Sequence, residues 1–157
     1  MVEFENVYHN GSLLGVPREW AAVLFGVLAC GSLHTLDPNR EEEGKEYIKI
    51  SCGVVDVWQD HFTLDQARCA LLVSIFLYEV NSKSASWVWI GSAVRIAQEL
   101  GLHIESGPWP VVEREMRRRV WWGMYAWDRS VFGIDFFTCN DAHYSLGFLR
   151  WRWESRF

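Results

Sequence analysis

The chain has 157 residues, half of them hydrophobic and 22 % charged, and a formal net charge of −5. That length fits one domain able to bury roughly 68–70 % of its unfolded surface, and the apolar fraction excludes intrinsic disorder. The acidic balance argues against wholesale nucleic-acid binding, because phosphates need a surplus of Lys and Arg. Ten tryptophans, each with roughly 150–250 Å² to bury, must dominate the core or form contact surfaces.

Residues 1–16 read as an N-terminal extension. Pro17 suits a first helical turn, and a helix is expected from there to about Leu33, with Ala21, Leu24, Phe25, Leu28 and Ala29 facing the core. Asp37-Pro38-Asn39 makes a turn. A second helix is expected from Glu41 to about Trp58, with Tyr47, Ile48, Val54 and Val55 inward and Gly53 as its weak point. Thr63-Leu64-Asp65-Gln66 fits a capping box, in which the Thr hydroxyl accepts from a free backbone N–H and the Gln side chain reaches back. The stretch Cys69 to Tyr78 is apolar on nearly every side, broken by Ser74, which predicts a helix surrounded by other helices.

Asn81 to Ala85 reads as a polar loop. The next helix is expected over Ser86 to Leu100, with Ile90, Ala93, Val94 and Ala97 on one face, and Gly91, Ala93 and Ala97 small enough for close approach. Gly101 is placed to take a left-handed C-cap, with Leu102 folding back on the helix. Ser106 to Pro110 is a rigid connector. A last helix spans about Val111 to Val131, with Met116, Val120, Met124, Trp127 and Val131 as its stripe. Residues 133–157 then lose periodicity and form an aromatic and basic tail, with Trp151, Arg152, Trp153 and Arg156 near its end. Five helices joined by short loops predict an all-α fold, a single helical bundle.

Cys30, Cys52, Cys69 and Cys139 contain no Cys-x-x-Cys pair, so neither a zinc site nor a redox motif can be read. Their spacing suggests buried thiols in a reducing compartment. The longest apolar stretch, Trp20 to Cys30, falls short of the about 20 residues of a spanning helix. The acidic residues Glu3 and Glu5 ahead of it do not suit a signal peptide. A soluble, intracellular chain is expected.

Few residues suggest chemistry. Asp56, Asp60, His61 and Asp65 bring acids and an imidazole into one stretch, but without the His spacing of a helix-borne zinc site. His9, His34, His103 and His143 are scattered. No Gly-x-Ser-x-Gly elbow, dinucleotide fingerprint or phosphate-binding loop occurs, so no enzymatic activity is expected. The one basic cluster on a helix is Arg114, Arg117, Arg118 and Arg119, followed by Trp121 and Trp122. Glu113 and Glu115 stand four residues before Arg117 and Arg119, the favoured orientation for pairing, so a solvated, pair-laced face is expected rather than a phosphate track. That spacing leaves Arg114 and Arg118 for acidic partners on a neighbouring helix or domain.

Two segments carry a resemblance. Ser92 to His103, reading SAVRIAQELGLH, and Glu113 to Arg129, reading EREMRRRVWWGMYAWDR, resemble the two hallmark segments of the fungal-specific transcription factor domain, in the family's order. Leu64 to Tyr78 followed by Trp87 is similar to the helix before them. The resemblance covers roughly residues 17–132 and implies a regulatory, non-catalytic middle region of a fungal binuclear zinc-cluster transcription factor. It marks Arg95, Gly101, Leu102, His103, Arg117, Arg118, Arg119, Trp121, Trp122, Tyr125, Asp128 and Arg129 as hallmark residues. In that reading Trp121, Trp122 and Tyr125 wedge against the preceding helix, Arg117 to Arg119 reach acidic groups across the bundle, and Asp128 and Arg129 make polar contacts at the helix end.

The family's DNA contacts and two zinc ions belong to an N-terminal cluster of six cysteines that this sequence does not contain. No cofactor and no direct DNA contact is therefore expected from these residues. Expected partners are the transcription machinery, a neighbouring activation segment or a small effector, in the nucleus and away from membranes. The family usually continues past Asp-Arg with further helices, so the chain reads as an incomplete version of a larger regulatory domain. The alternatives are a helical ligand-binding protein or enzyme on the same scaffold, or a cluster-less regulator that titrates partners.

Overall fold

The structure, a computed structural model, describes residues 2–55, 60–104 and 107–137. Those residues form six helices and no strand: α1 (Val2–Asn10), α2 (Arg18–Ser32), α3 (Arg40–Cys52), α4 (Leu64–Glu79), α5 (Lys83–Glu99) and α6 (Val111–Phe137). The all-α bundle agrees with the periodicity, but the helix count is six because α1 occupies the segment read as an extension. This helix packs against none of the others, so Phe4 and Tyr8 stack on each other at 6.3 Å and remain exposed.

Local chemistry fixes several ends. The Thr63 Oγ1 accepts from the Gln66 N–H at 3.3 Å, while the Gln66 Oε1 accepts from the Thr63 N–H at 2.8 Å. Gln66 is itself buried and donates from Nε2 to the Val54 carbonyl at 3.1 Å, tying the cap to the end of the α3 region. The third helix stops at Cys52, short of Trp58, because Gly53 caps it by donating to the Lys49 carbonyl. Asp56 and Trp58 lie outside the described residues, as do Ser106, Cys139, His143 and the tail from 138 onward. The fifth helix begins at Lys83, inside the stretch read as a loop, and the sixth runs past Val131 to Phe137.

Helix α4 is the central element, touching α2, α3, α5 and α6. On one flank Ala29, Ile48, Val73 and Phe76 form a cluster beside a smaller one of Ala22, Val54 and Cys69. On the other, Ala67, Ala70, Ile90, Ala93, Ile96, Ala97, Leu102 and Met124 form the largest cluster. Trp89 packs against both flanks.

The buried faces are narrower than hydrophobicity predicts. In α2 the residues facing inward are Ala22, Gly26, Ala29 and Ser32, whereas Leu28 is exposed. Small residues win that face because α3 and α4 come close: a Cβ on Gly26 would lie 3.0 Å from Leu72 Cδ1. On α3, a Cβ on Gly44 would lie 2.6 Å from both Phe76 Cε2 and Ser32 Oγ. In α6, Met124 and Val131 are buried, but Met116 of the expected stripe is exposed.

Polar groups in these dry contacts are paired, as burial demands. Ser51 Oγ donates to the Ala22 carbonyl at 2.6 Å, joining α3 to α2. Ser86 Oγ donates to the Ser74 carbonyl at 2.7 Å, and Ser74 Oγ lies 3.0 Å from both Ser86 Oγ and the Ser86 carbonyl. Trp127 Nε1 donates to Ser74 Oγ at 3.0 Å, so one serine pair links α4, α5 and α6. Among the described residues, no helix is long and apolar enough to cross a membrane.

Candidate functional site

The end of α5 closes with a glycine whose φ is +67°, a left-handed conformation that costs glycine little and β-carbon-bearing residues more. That residue, Gly101, donates to the Gln98 carbonyl at 3.0 Å, and Leu102 donates to the Ala97 carbonyl at 2.9 Å. This is the double hydrogen bond of a Schellman cap, and Leu102 folds back into the largest core cluster. The structure thus has the left-handed glycine cap expected at Gly101, with Leu102 folded back on the helix.

Helix α6 begins beside that cap, and Arg117 uses it. Its Nη2 donates to the Leu100 carbonyl at 2.6 Å, placing a cation on the free carbonyls of the α5 C-terminus, where the helix dipole favours positive charge. The same guanidinium lies 4.1 Å from the centre of the Trp109 ring. Among the described residues, Arg117 therefore pairs neither with Glu113 nor with an acid across the bundle. A backbone carbonyl and an indole hold it instead.

Glu115 serves two other arginines on its own helix. Arg118 donates from Nε and Nη2 to Glu115 Oε2 at 2.9 and 2.8 Å, and Arg119 donates from Nε to Oε1 at 2.7 Å. These hydrogen bonds, Arg119's first, hold the Glu115 carboxyl below the ordinary carboxylate range. Arg118 and Arg119 thus do not reach across the bundle. Geometry favours the i,i+3 and i,i+4 partner over a distant one, because both side chains already share that surface. Arg114 donates to the Trp109 carbonyl at 3.4 Å.

Between the α5 cap and α6 lies an open cleft of 210 Å³. Arg114, Arg117 and Arg118 line it with Trp109, Trp121 and Trp122, over a floor that includes Leu102. Among the described residues, none of its lining side chains is acidic. Across residues 113–119, four arginines face two glutamates, giving this segment +2 on a chain of −5.

The rings divide by burial. Trp121 packs against the core cluster, with His103 at 5.7 Å and Tyr125 at 6.5 Å between centroids. Trp122 is 41 % exposed and meets Tyr125 edge-on at 5.6 Å. Only Trp121 therefore fulfils the expected wedge. His103 is exposed but lines the cleft. Arg129 lies over the outer ring of Tyr125 at 5.4 Å, well inside α6 rather than at its end, and Asp128 is half-buried beside it in sequence. Arg95 stays away from the cleft, donating to the Gly91 carbonyl on its own helix at 2.9 Å.

Trp109 lines the cleft although its sequence context marks it only as part of a connector. Its position between Pro108 and Pro110 was the available signal, since two fixed φ angles hold the intervening residue rigid. Gly107 lets the indole fold back: a Cβ there would collide with Trp109 Nε1.

Among the described residues no three His, Cys, Asp or Glu side chains converge as a metal site. Cys30, Cys52 and Cys69 sit on separate helices, and burial pushes each thiol up, Cys69 to about 12. Thiols held in the protonated form are poor zinc ligands and poor nucleophiles, so they do not fit the family's zinc cluster. Asp60 and His61 are exposed, and Asp65 pairs with Arg68 at 2.6 Å.

The family described as the fungal specific transcription factor domain matches residues 4–134. An uncharacterized transcriptional regulatory protein of Schizosaccharomyces pombe is 27 % identical over 139 residues, covering 82 % of this chain and 37 % of its own length. Transcription factor yanR of Aspergillus niger is 38 % identical over 123 residues, covering 74 % of this chain and 14 % of its own. Transcription factor macR of Penicillium terrestre is 45 % identical over 67 residues, covering 41 % of this chain and 8 % of its own. The chain thus spans well under half the length of these relatives. No solved structure matches it significantly.

Proposed function

Since the chain belongs to the fungal specific transcription factor domain family, we propose that it acts as a non-catalytic control unit within a nuclear zinc-cluster regulator. DNA contact and the two zinc ions fall, in this reading, to a cysteine cluster that these residues do not supply. The domain contributes a switchable surface whose occupancy by a partner segment or effector sets transcriptional output.

The observation that carries this reading is the α5–α6 junction. Arg117 and Trp121 seal the two hallmark helices together, while Arg114, Arg118 and Trp122 remain presented at a cleft. Such a site holds and orients an acidic or aromatic group. It offers cations and ring faces, the groups of recognition rather than of bond breaking.

The test is a reporter in yeast, with the chain placed between a heterologous DNA-binding domain and an acidic activation segment. Output should change at least severalfold relative to a fusion carrying a flexible spacer of equal length. Equal output from the two fusions would refute a regulatory role for these residues.

A further inference from the structure

The α5–α6 cleft has a chemistry narrower than "a regulatory surface". Of its three guanidiniums, Arg117 is already committed to the Leu100 carbonyl and the Trp109 ring. Arg114 and Arg118 stand four residues apart on α6, hence on one face, and both line the opening. Arg118 gives Nε and Nη2 to one oxygen of Glu115, which leaves its Nη1 hydrogens for another acceptor. Arg114 has one long contact, at 3.4 Å, from Nη2. Arg114 is thus open to an anion and Arg118 adds its remaining Nη1 hydrogens, with Trp109, Trp121 and Trp122 lining the same cleft.

Size and wall chemistry narrow the choice. At 210 Å³ the cleft is smaller than the roughly 300–1,000 Å³ of drug-sized pockets, which favours a one- or two-ring molecule over a run of peptide side chains. A bare phosphate would satisfy the arginines but leave the indoles unstacked. A neutral ring would stack but leave the guanidiniums without an acceptor. We propose that this cleft binds a small aromatic carboxylate, its carboxylate held by Arg114 and Arg118 and its ring by the surrounding indoles.

This inference rests on the regulatory reading only for its purpose, since the binding chemistry stands on the cleft itself. The probe is 2-naphthoate, titrated into the full chain by calorimetry, with 2-naphthamide, inorganic phosphate and an acidic peptide containing two phenylalanines as comparisons. Saturable binding of naphthoate is expected, weakened about tenfold or more for the amide and in the double variant Arg114→Gln/Arg118→Gln, which loses the charge-assisted contacts. Circular dichroism and thermal unfolding check that the variant stays folded, as two exposed arginines permit. Trp122→Ala should weaken naphthoate and leave phosphate unaffected.

Equal binding of acid and amide would reduce the site to an apolar patch and overturn the proposal. So would phosphate binding as tightly as naphthoate, or the acidic peptide binding where naphthoate does not. The double variant in the yeast reporter separates the two readings. Altered output with no naphthoate binding sinks the ligand and spares the regulation. Naphthoate binding with a reporter indifferent to the whole chain does the reverse.

Discussion

The indole N–H of Trp127 on α6 donates to the hydroxyl of Ser74 on α4 at 3.0 Å, and that hydroxyl is fully buried. Ser74 in turn faces Ser86 of α5, so three helices meet on one hydroxyl pair. Ser74→Ala strands the indole N–H and removes the Ser86 partner, and it should lower stability by about 1–3 kcal/mol in urea denaturation. Trp127→Phe deletes the donor as well. In the double variant the two losses should sum to more than the measured total, as expected for residues in one hydrogen-bonded network.

Two helical glycines should respond to alanine with opposite signs. At Gly44 the new Cβ would meet the Phe76 ring and Ser32 Oγ at 2.6 Å, and overpacking of about 1–3 kcal/mol should outweigh the helix-propensity gain. At Gly123 the nearest atom is Leu71 Cδ2 at 4.0 Å, so Gly123→Ala should stabilise by up to about 1 kcal/mol. Thermal unfolding of both variants, scanned side by side, checks the contrast. A stabilised Gly44→Ala would show that α3 and α4 can separate freely.

Adjacent tryptophans should differ as well. Trp121→Ala removes a ring packed on the core and should cost ~3 kcal/mol, the low end for deleting a packed aromatic ring. Trp122→Ala removes a half-exposed ring whose intramolecular gain is one edge-on contact with Tyr125, worth ~1 kcal/mol. Chemical denaturation gives both values. Equal losses would mean that Trp122 is buried in solution.

The Cys69 thiol, pushed up to about 12 chiefly by burial, ties stability to alkaline pH. The folded state keeps the proton above the thiol's ordinary value near 9, whereas the unfolded chain releases it there. Unfolding therefore releases a proton in this window. Stability from this group is complete below about pH 9 and falls as pH rises toward 12. Cys69→Ala should flatten that part of the pH profile. In native protein near neutral pH, a thiol reagent should leave Cys69 unmodified, and modification should appear with unfolding.

Local devices were readable in the chain because their partners are near in sequence. Thr63 with Gln66 and Leu100 with Gly101 and Leu102 each form a cap within a few residues, and the structure shows both. What escaped was decided by neighbours. The buried face of α2 belongs to Ala22, Gly26 and Ala29 rather than Leu24 and Leu28, because close approach of α3 and α4 selects small residues over apolar ones. Arg117 looked like the natural partner of Glu113 by spacing, yet the α5 carbonyls and Trp109 hold it, through a contact no spacing rule encodes. At the cleft, the hallmark residues Arg117, Arg118, Trp121, Trp122, Leu102 and His103 do come together, while Arg95 does not.

Among the described residues, Trp89 is the one indole that the clusters on both sides of α4 share. Both sides contribute to its seat, so neither can come apart and leave the ring in place. Helices α2 to α6 are therefore built to melt together, and a molecule lodged beside α6 would brace the far helices without touching them.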